Sequence, residues 1–257
     1  MMIAYNITSA SRVGCVRRQN EDMILVDNRY VRNGDYATQV ALNHQDKYIV
    51  AVADGMGGHN RGDVASNDVL KNLQFYYHDL PTGLGTSEFY EAIVEWLDSI
   101  NNFVASKGRA DEQFQGMGTT LVALAYYDGD FYSLNCGDSR LYRFCNGQLK
   151  QLTTDHSLNE MLGEEKHTNI ITNCIGGGCN SSYIDMVKID VQPGDVFLLC
   201  TDGLTDMVPD RDIAALLAED ANANALCDAA IENGGLDNVS CCMITVKLRE
   251  DAIKITR

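Results

Sequence analysis

The sequence is poor in proline and lacks long apolar runs. Its 257 residues include only three prolines, and no low-complexity run or proline- or serine-rich linker interrupts them. No stretch approaches the 18 apolar residues of a membrane span, and no N-terminal run has the length of a signal peptide. We therefore expect a single domain over residues 1–257, located in the cytoplasm, with no membrane partner.

Basic residues are also scarce, since 20 Lys and Arg stand against 36 Asp and Glu and give a net charge of −16. This balance argues against a nucleic-acid partner, whose phosphates need a basic surface. An acidic surface often serves only solubility. The alternative is that some of the carboxylates hold hard cations, and their positions along the chain must decide between the two.

Paired cysteines of the kind that bind zinc are missing. The nine cysteines include no C-x-x-C pair, which argues against a structural zinc site. Their number is odd and several lie in apolar, strand-like runs. We interpret them as small buried side chains in a reducing compartment.

Short strand-like runs dominate what is present. The letters DGD between two of these runs predict a tight hairpin, and Asn146-Gly147 predicts another, so the strands should be mostly antiparallel. The predicted strands are Ile3–Thr8, Met23–Asp27, Tyr48–Ala53, Thr119–Tyr127, Asp130–Asn135, Leu141–Phe144, Ile184–Ile189, Val196–Cys200 and Val239–Leu248.

Helical patterns come in two pairs, one after the third strand and one near the C-terminus. The second helix is the clearest, with one apolar stripe, Ser87 as candidate N-cap and Gly108 past its end. Its stripe is Phe89, Ile93, Trp96, Leu97, Ile100 and Val104. For the first helix the pattern predicts a mixed face with Val64, Leu70 and Phe75. Segregated helix pairs around antiparallel strands indicate an α+β layered sandwich.

A repeated pattern of apolar strand, Asp and Gly is the strongest internal signal. Asp54-Gly55, Gly137-Asp138 and Asp202-Gly203 each follow an apolar run, while Asp22 and Asp237 each precede one. A buried carboxylate at a strand end is costly unless it is paired or coordinated, and basic partners are few. Oxygen ligands of this kind suit Mg²⁺ or Mn²⁺. A single Asp-Gly is more often just a turn, but the glycine-rich run after Asp54 favours a site.

Seven strings in order give the sequence a resemblance to a known family. It resembles the metal-dependent protein serine/threonine phosphatases, the type-2C or PPM family, and most closely their bacterial branch. The strings run from Gly14 to Ser240 and are GCVRRQNED, VADGMGGHNRGDVAS, MGTTLVAL, NCGDSRLYRF, LTTDHSL, LLCTDGLTDMV and GLDNVS.

The resemblance implies a four-layer αββα sandwich, two mostly antiparallel sheets flanked by helix pairs. It implies that a metal-activated water hydrolyses phosphoserine and phosphothreonine in proteins, with Mn²⁺ or Mg²⁺, two ions per chain and a third, weaker one. Phosphorylated proteins, Ser/Thr kinases and the substrates of those kinases would be the partners. The implied ligands are Asp54 for both main ions, the Gly55 carbonyl for the second, Asp202 and Asp237 for the first, Asp22 for the second through water, and Asp138 with Asp202 for the third. Arg17 would bind the substrate phosphate.

The sequence departs from the family pattern in two places. In animal members the general acid directly follows the Asp-Gly, but Met56 occupies that place here and His59 lies three residues further on. The general acid is therefore left open. The segment from Asp155 to Gly176, the flap, is shorter than usual, and Asn173 stands where an arginine is expected. His156 is interpreted as a structural residue near a strand end.

Two alternatives to a protein phosphatase remain open at this point. One is a catalytically silent, phosphoprotein-binding regulatory domain with the same fold, although such a domain should have lost a metal aspartate. The other is a small-molecule phosphatase, which fold and metals alone cannot exclude.

Overall fold

The computed structural model describes residues 3–57, 61–163, 170–178 and 181–248. Strands account for most of the regular structure in these ranges. They are β1 (Ile3–Arg12), β2 (Met23–Val26), β3 (Arg29–Val31), β4 (Gly34–Val40), β5 (Lys47–Ala53), β6 (Gly55–Met56), β7 (Gly118–Thr119), β8 (Leu121–Tyr127), β9 (Asp130–Cys136), β10 (Arg140–Cys145), β11 (Gln148–Gln151), β12 (Ile175–Gly176), β13 (Asp185–Ile189), β14 (Val196–Cys200) and β15 (Val239–Leu248).

The helices form two long and several short elements. They are α1 (Gly62–Asp79), α2 (Thr86–Ala110), α3 (Leu158–Leu162), α4 (Asp202–Thr205), α5 (Asp210–Ala218) and α6 (Ala223–Glu232), with a 3₁₀ turn at Glu112–Phe114 after α2. Within the described ranges, none of these helices combines the length and apolar character needed to cross a membrane.

Two six-stranded antiparallel sheets form the centre of the fold. The first has the strand order β11-β10-β14-β15-β1-β4 and the second has the order β13-β9-β8-β5-β2-β3. A small third sheet, β12-β7-β6, joins the Asp54-Gly55 turn to the end of the flap. The predicted antiparallel arrangement and both predicted hairpins are confirmed.

Three apolar layers separate the sheets and helices. Ile7 and Val246 of the first sheet meet Ile24 and Val122 of the second in the central layer. The helices α1 and α2 cover the outer face of the second sheet, while α5 and α6 cover that of the first. The α+β, four-layer αββα prediction is therefore confirmed. The extent of a single domain over residues 1–257 stays a prediction.

The apolar stripe predicted for α2 is buried as expected, but the predicted ends are wrong. The helix begins at Thr86 after Gly85, whose N–H donates to Glu88 Oε2 at 2.9 Å, so Ser87 is not the cap. Gly108 lies inside the helix, which continues to Ala110. A side chain at Gly108 would come within 2.9 Å of the Phe114 carbonyl oxygen, so this glycine serves close packing of the next turn.

The face predicted for α1 is also partly wrong. Phe75 is 72% exposed, whereas the small residues Ala65 and Ser66 are fully buried. Small side chains let the helix approach the sheet closely, and the Ser66 hydroxyl donates to the Glu21 carbonyl at 2.5 Å. Counting large apolar residues could not reveal this face.

Candidate metal-binding active site

The five aspartates selected from the sequence lie at one edge of the two sheets. The strands β5, β9 and β14 end there, and β2 and β15, which run antiparallel to β5 and β14, begin there. Each aspartate is within two residues of one of these strand ends: Asp54 after β5, Asp138 after β9, Asp202 after β14, Asp22 before β2 and Asp237 before β15. The antiparallel pairing therefore gathers carboxylates that are far apart in the chain.

The backbone of Asp54 is fixed by two threonines. Asp54 N–H donates to Thr120 Oγ1 at 3.0 Å, and its carbonyl accepts from Thr119 Oγ1 at 2.7 Å and from Thr120 N–H at 2.9 Å. Both threonines are fully buried. These bonds orient the central aspartate.

Two glycines allow the backbones around the site to approach one another. A side chain at Gly55 would lie 2.3 Å from the Gly62 carbonyl oxygen and 2.5 Å from that of Glu21. At Gly203 it would lie 1.8 Å from the Asn238 carbonyl oxygen. Only glycine fits such contacts, and the second one brings the chain at Asp202 against the chain next to Asp237.

Asp22 is completely buried among polar groups. Thr201 Oγ1 donates to Asp22 Oδ2 at 3.0 Å and accepts from Ser240 N–H at 3.1 Å. Asp22 N–H in turn donates to Asn20 Oδ1 at 3.1 Å. Burial and the negative charges of Asp202 and Asp237 raise the pKa of Asp22 to about 7.

The pKa values of the neighbouring carboxyl groups are raised as well. Burial and the charges of the other aspartates of the cluster raise the pKa of Asp54 well above its ordinary value. Burial and the charge of Asp202 raise the pKa of Asp138 to about 7, and burial with the charge of Asp206 raises the pKa of Asp202 to about 6. Like charges in a poorly solvated site repel one another. A bound cation would offset this repulsion and stabilise the ionised carboxylates.

Two observations fit a divalent cation. Asp22 Oδ1 and Asp202 Oδ1 are buried and, within the described ranges, accept no hydrogen bond. Carboxylate oxygens are also the ligands that Mg²⁺ and Mn²⁺ prefer. In the part of the chain that the structure describes, however, no three His, Cys, Asp or Glu side chains converge as a finished ligand set. The individual metal-ligand assignments therefore stay predictions.

Arg17 lies at the rim of this carboxylate cluster. Its Nη2 donates to Asp237 Oδ2 at 2.5 Å, and the Asp237 Oδ1 accepts the Asn238 N–H at 2.7 Å. The Arg17 side chain is 48% exposed, so it faces solvent. The structure thus brings together all six residues whose side chains the sequence proposed, Arg17 and the five aspartates.

Some supporting residues were not identified from the sequence. Thr201 bonds Asp22, Asn238 Oδ1 accepts the Glu21 N–H at 2.8 Å, and Arg32 Nε donates to the Asp22 carbonyl at 2.8 Å. Thr201 and Asn238 directly adjoin predicted ligands, a signal that could have identified them, but nothing near Arg32 in the sequence points to Asp22. His59, the residue considered as general acid, lies outside the described residues.

Comparisons with known proteins agree with this fold and site. A family profile described as "Protein phosphatase 2C" matches residues 31–230. The serine/threonine phosphatase stp of Listeria monocytogenes serotype 4b (strain F2365) is 32% identical over 246 residues, covering 90% of this chain and 92% of the relative.

Two solved structures share nearly the whole fold. The S. agalactiae serine/threonine phosphatase superposes with a TM-score of 0.80 at 26% identity, over 94% of this chain and 99% of the other. The catalytic domain of the serine threonine protein phosphatase PstP, in complex with two manganese ions, superposes with a TM-score of 0.72 at 30% identity. That match covers 96% of this chain and 100% of the PstP chain.

The fold and the acidic site define a metal-dependent phosphatase. The chain belongs to the protein phosphatase 2C family, which confirms the resemblance inferred from its seven strings, and it is an enzyme of that family.

Proposed function

We propose that this chain removes phosphate from phosphoserine and phosphothreonine residues of proteins by metal-dependent hydrolysis. One observation carries the proposal: five aspartates gather at one sheet edge, with the Arg17 guanidinium bonded to one of them. The site thus has oxygen ligands for cations beside a positively charged group for a phosphate. The relatives bearing the names stp and PhpP, both called phosphatases, support the same activity.

We assign the carboxylates as the family resemblance implies. Asp54 would hold both main ions, the Gly55 carbonyl and Asp22 would serve the second, Asp202 and Asp237 would serve the first, and Asp138 with Asp202 would serve a weaker third ion. The unpartnered oxygens of Asp22 and Asp202 support this assignment. Two ions per chain, Mn²⁺ or Mg²⁺, are proposed by analogy with the manganese complex of PstP.

The residues of the chain divide the work of hydrolysis. Divalent cations held by these carboxylates would lower the pKa of a bound water and would neutralise phosphoryl charge. Thr119 and Thr120 hold Asp54 in place, and Thr201 holds Asp22. Arg17, a planar and permanently charged donor, binds the phosphoryl oxygens and orients phosphorus for attack.

We expect Arg17→Ala to raise the Michaelis constant for a phosphopeptide by roughly 10- to 100-fold, the scale of hydrogen bonds to a charged group. Mn²⁺ binding should be nearly intact, because the change removes a competitor for Asp237 Oδ2 and no metal ligand. The Arg17–Asp237 pair is about half exposed, so stability should hardly change.

Steady-state kinetics and Mn²⁺ calorimetry measure both effects. Arg18→Ala is the matched control, since it removes the same charge from the adjacent exposed position. A variant at Arg17 that lost metal at an unchanged Michaelis constant would contradict the assigned role.

The two alternative functions predict different properties for the site. A silent phosphoprotein-binding domain should lack part of the acidic cluster, but all five aspartates are present and interact electrostatically. A small-molecule phosphatase would keep the cluster, so only substrates can distinguish it.

Specific kinase partners, the cytoplasmic location and the single domain over 1–257 are part of the proposal as well.

We expect a phosphothreonine peptide to be hydrolysed with a kcat/KM at least about tenfold above that of a sugar phosphate or a nucleoside monophosphate. The Arg17 side chain is 48% exposed at the rim of the cluster, where a peptide can reach it. Phosphate release from the three substrates at saturating Mn²⁺ measures the ratio. Preference for either small molecule would favour the small-molecule phosphatase, and binding of the phosphopeptide without turnover would favour the silent domain.

A further inference from the structure

A buried histidine joins the flap to the acidic cluster. His156 is 5% exposed and lies near the start of the flap, a few residues after β11. It is packed between the turn that follows β9 and the first residue of β13. Its backbone N–H donates to the Gly137 carbonyl at 2.9 Å, and its backbone carbonyl accepts the Thr172 N–H at 2.8 Å. The residue therefore bonds both the Asp138 turn and the returning arm of the flap through its backbone alone.

The side chain of His156 makes a second set of bonds to the same segments. Nδ1 accepts the Gly137 N–H at 3.1 Å and lies 2.8 Å from Asn173 Nδ2. Nε2 lies 3.0 Å from Asp185 Oδ2. Tyr183 packs against the imidazole with 4.6 Å between ring centroids.

These contacts fix the tautomer of the ring. A backbone N–H can only donate, so Nδ1 must be the unprotonated nitrogen and the proton lies on Nε2. The Asn173 amide is oriented consistently, because its Nδ2 also donates to the Tyr183 carbonyl at 2.8 Å and its Oδ1 accepts the Tyr183 N–H at 3.2 Å. Nε2–H then donates to the Asp185 carboxylate. Both ring nitrogens are thus engaged by the protein and neither is offered to a metal.

The bonds continue from His156 to the central aspartate. Gly137 adjoins Asp138, and Ser139 Oγ lies 2.7 Å from Thr120 Oγ1, the atom that accepts the Asp54 N–H. A side chain at Gly137 would lie 2.7 Å from Thr120 Cβ, which shows how closely this turn rests on Thr120. A chain of direct contacts therefore runs from the flap through His156 and Thr120 to Asp54.

We propose that His156, protonated on Nε2, is a positioning residue that locks the Gly137–Ser139 turn to the base of the flap and so holds Asp138 and Asp54 in their working geometry. The inference deepens the proposed function, since it rests on the assignment of Asp138 and Asp54 to the metal centre. It also gives Asn173, which stands where the family has an arginine, a task of its own: donating to Nδ1.

The first test removes and then restores the acceptor at the Nδ1 position. His156→Leu should lower kcat by roughly 10- to 100-fold, the scale of a displacement of about 1 Å at a reacting group. It should also weaken the outermost Mn²⁺ ion in calorimetry while the tight ions stay bound. His156→Asn, whose Oδ1 can accept the Gly137 N–H, should recover most of both losses. Equal defects in the two variants would overturn the proposal.

The second test asks whether His156 acts through Asp138. In an Asp138→Ala background, His156→Leu should lower kcat by much less than in the native background, because the part of its effect that acts through Asp138 is already lost. Full additivity of the two losses would overturn the proposal, since a merely destabilising change would act in either background. Nitrogen chemical shifts of His156 in the native protein should show protonated Nε2 and bare Nδ1, and the opposite pattern would also overturn it.

A further variant keeps the proposal testable if His156→Leu does not fold. Asn173→Asp preserves shape but replaces the donor to Nδ1 by an acceptor, so it should draw the proton to Nδ1 and break the Gly137 bond. We expect it to lower kcat and weaken the outermost Mn²⁺ ion as His156→Leu does, and native behaviour would overturn the proposal. If the unmodified protein did not hydrolyse the phosphopeptide at all, the proposed function itself would be wrong.

Discussion

Replacing Asp54 or Asp202 by alanine is expected to lower turnover by roughly a thousandfold or more, the scale seen when a main electrostatic element of an active site is removed. Asp54 is assigned to both main ions, and Asp202 to the first and the third. Asp138→Ala should differ: it keeps two tightly bound ions, loses turnover, and improves as the metal concentration rises. Phosphopeptide kinetics and Mn²⁺ calorimetry on the three variants test this ranking.

The fold should survive these changes. The pKa of Asp54 is raised because burial and the surrounding like charges disfavour its ionised form, so without metal the alanine variant should be at least as stable as the native chain. Asp98→Ala, on an exposed position of α2, is the matched control and should leave turnover and metal binding unchanged. If Asp138→Ala lost the tight ions while Asp54→Ala kept them, the assignment of ligands would be wrong.

Removal of divalent cations is expected to abolish activity completely, and added Mn²⁺ or Mg²⁺ should restore it. The site contains carboxylates whose negative charges repel one another, and Arg17 is bonded to one of them, Asp237. Dialysis against a chelator followed by metal titration in a phosphopeptide assay measures the effect. Full turnover in excess chelator would exclude the metal mechanism.

The stability of the metal-free protein should depend on pH. In the folded chain the pKa values of Asp22 and Asp138 are about 7 and that of Asp202 is about 6, whereas an unfolded chain has values near 4. Between these limits the unfolded state has released protons that the folded state retains, so the metal-free protein loses stability as the pH rises from about 4 to about 7.

Metal binding to the native state should offset that loss. At a fixed concentration about one hundred times the dissociation constant at pH 7, Mn²⁺ should raise the melting temperature at that pH by about 5 to 10 °C. The rise should be larger at pH 7 than at pH 5, because protonated carboxyl groups bind metal poorly. Thermal melts at the two pH values, with and without chelator, provide the comparison, and an equal rise at both would contradict the charge argument.

The central strands could be predicted from the sequence, but the edge strands β3 and β4 could not. Burial on both faces makes β5, β8 and β14 nearly continuous apolar runs, and these were identified. β4 lies at the edge of its sheet, alternates between half-buried and exposed residues, and is held by pairing from Tyr5–Val40 to Ser11–Gly34. An edge strand needs one hydrogen-bonded neighbour and little burial, so its sequence carries only a weak signal.

The sequence by itself determined which side chains form the acidic cluster, because each aspartate stands beside an apolar strand and strand ends gather at sheet edges. What holds those side chains in place was decided by the tertiary structure. Thr201 bonds Asp22 across 179 residues, and Arg17 bonds Asp237 across 220. His156 bonds Gly137 across 19 residues, and Asn173 bonds His156 across 17. A hydrogen bond requires atoms within about 3 Å at a suitable angle, and only the packed chain brings such distant segments that close.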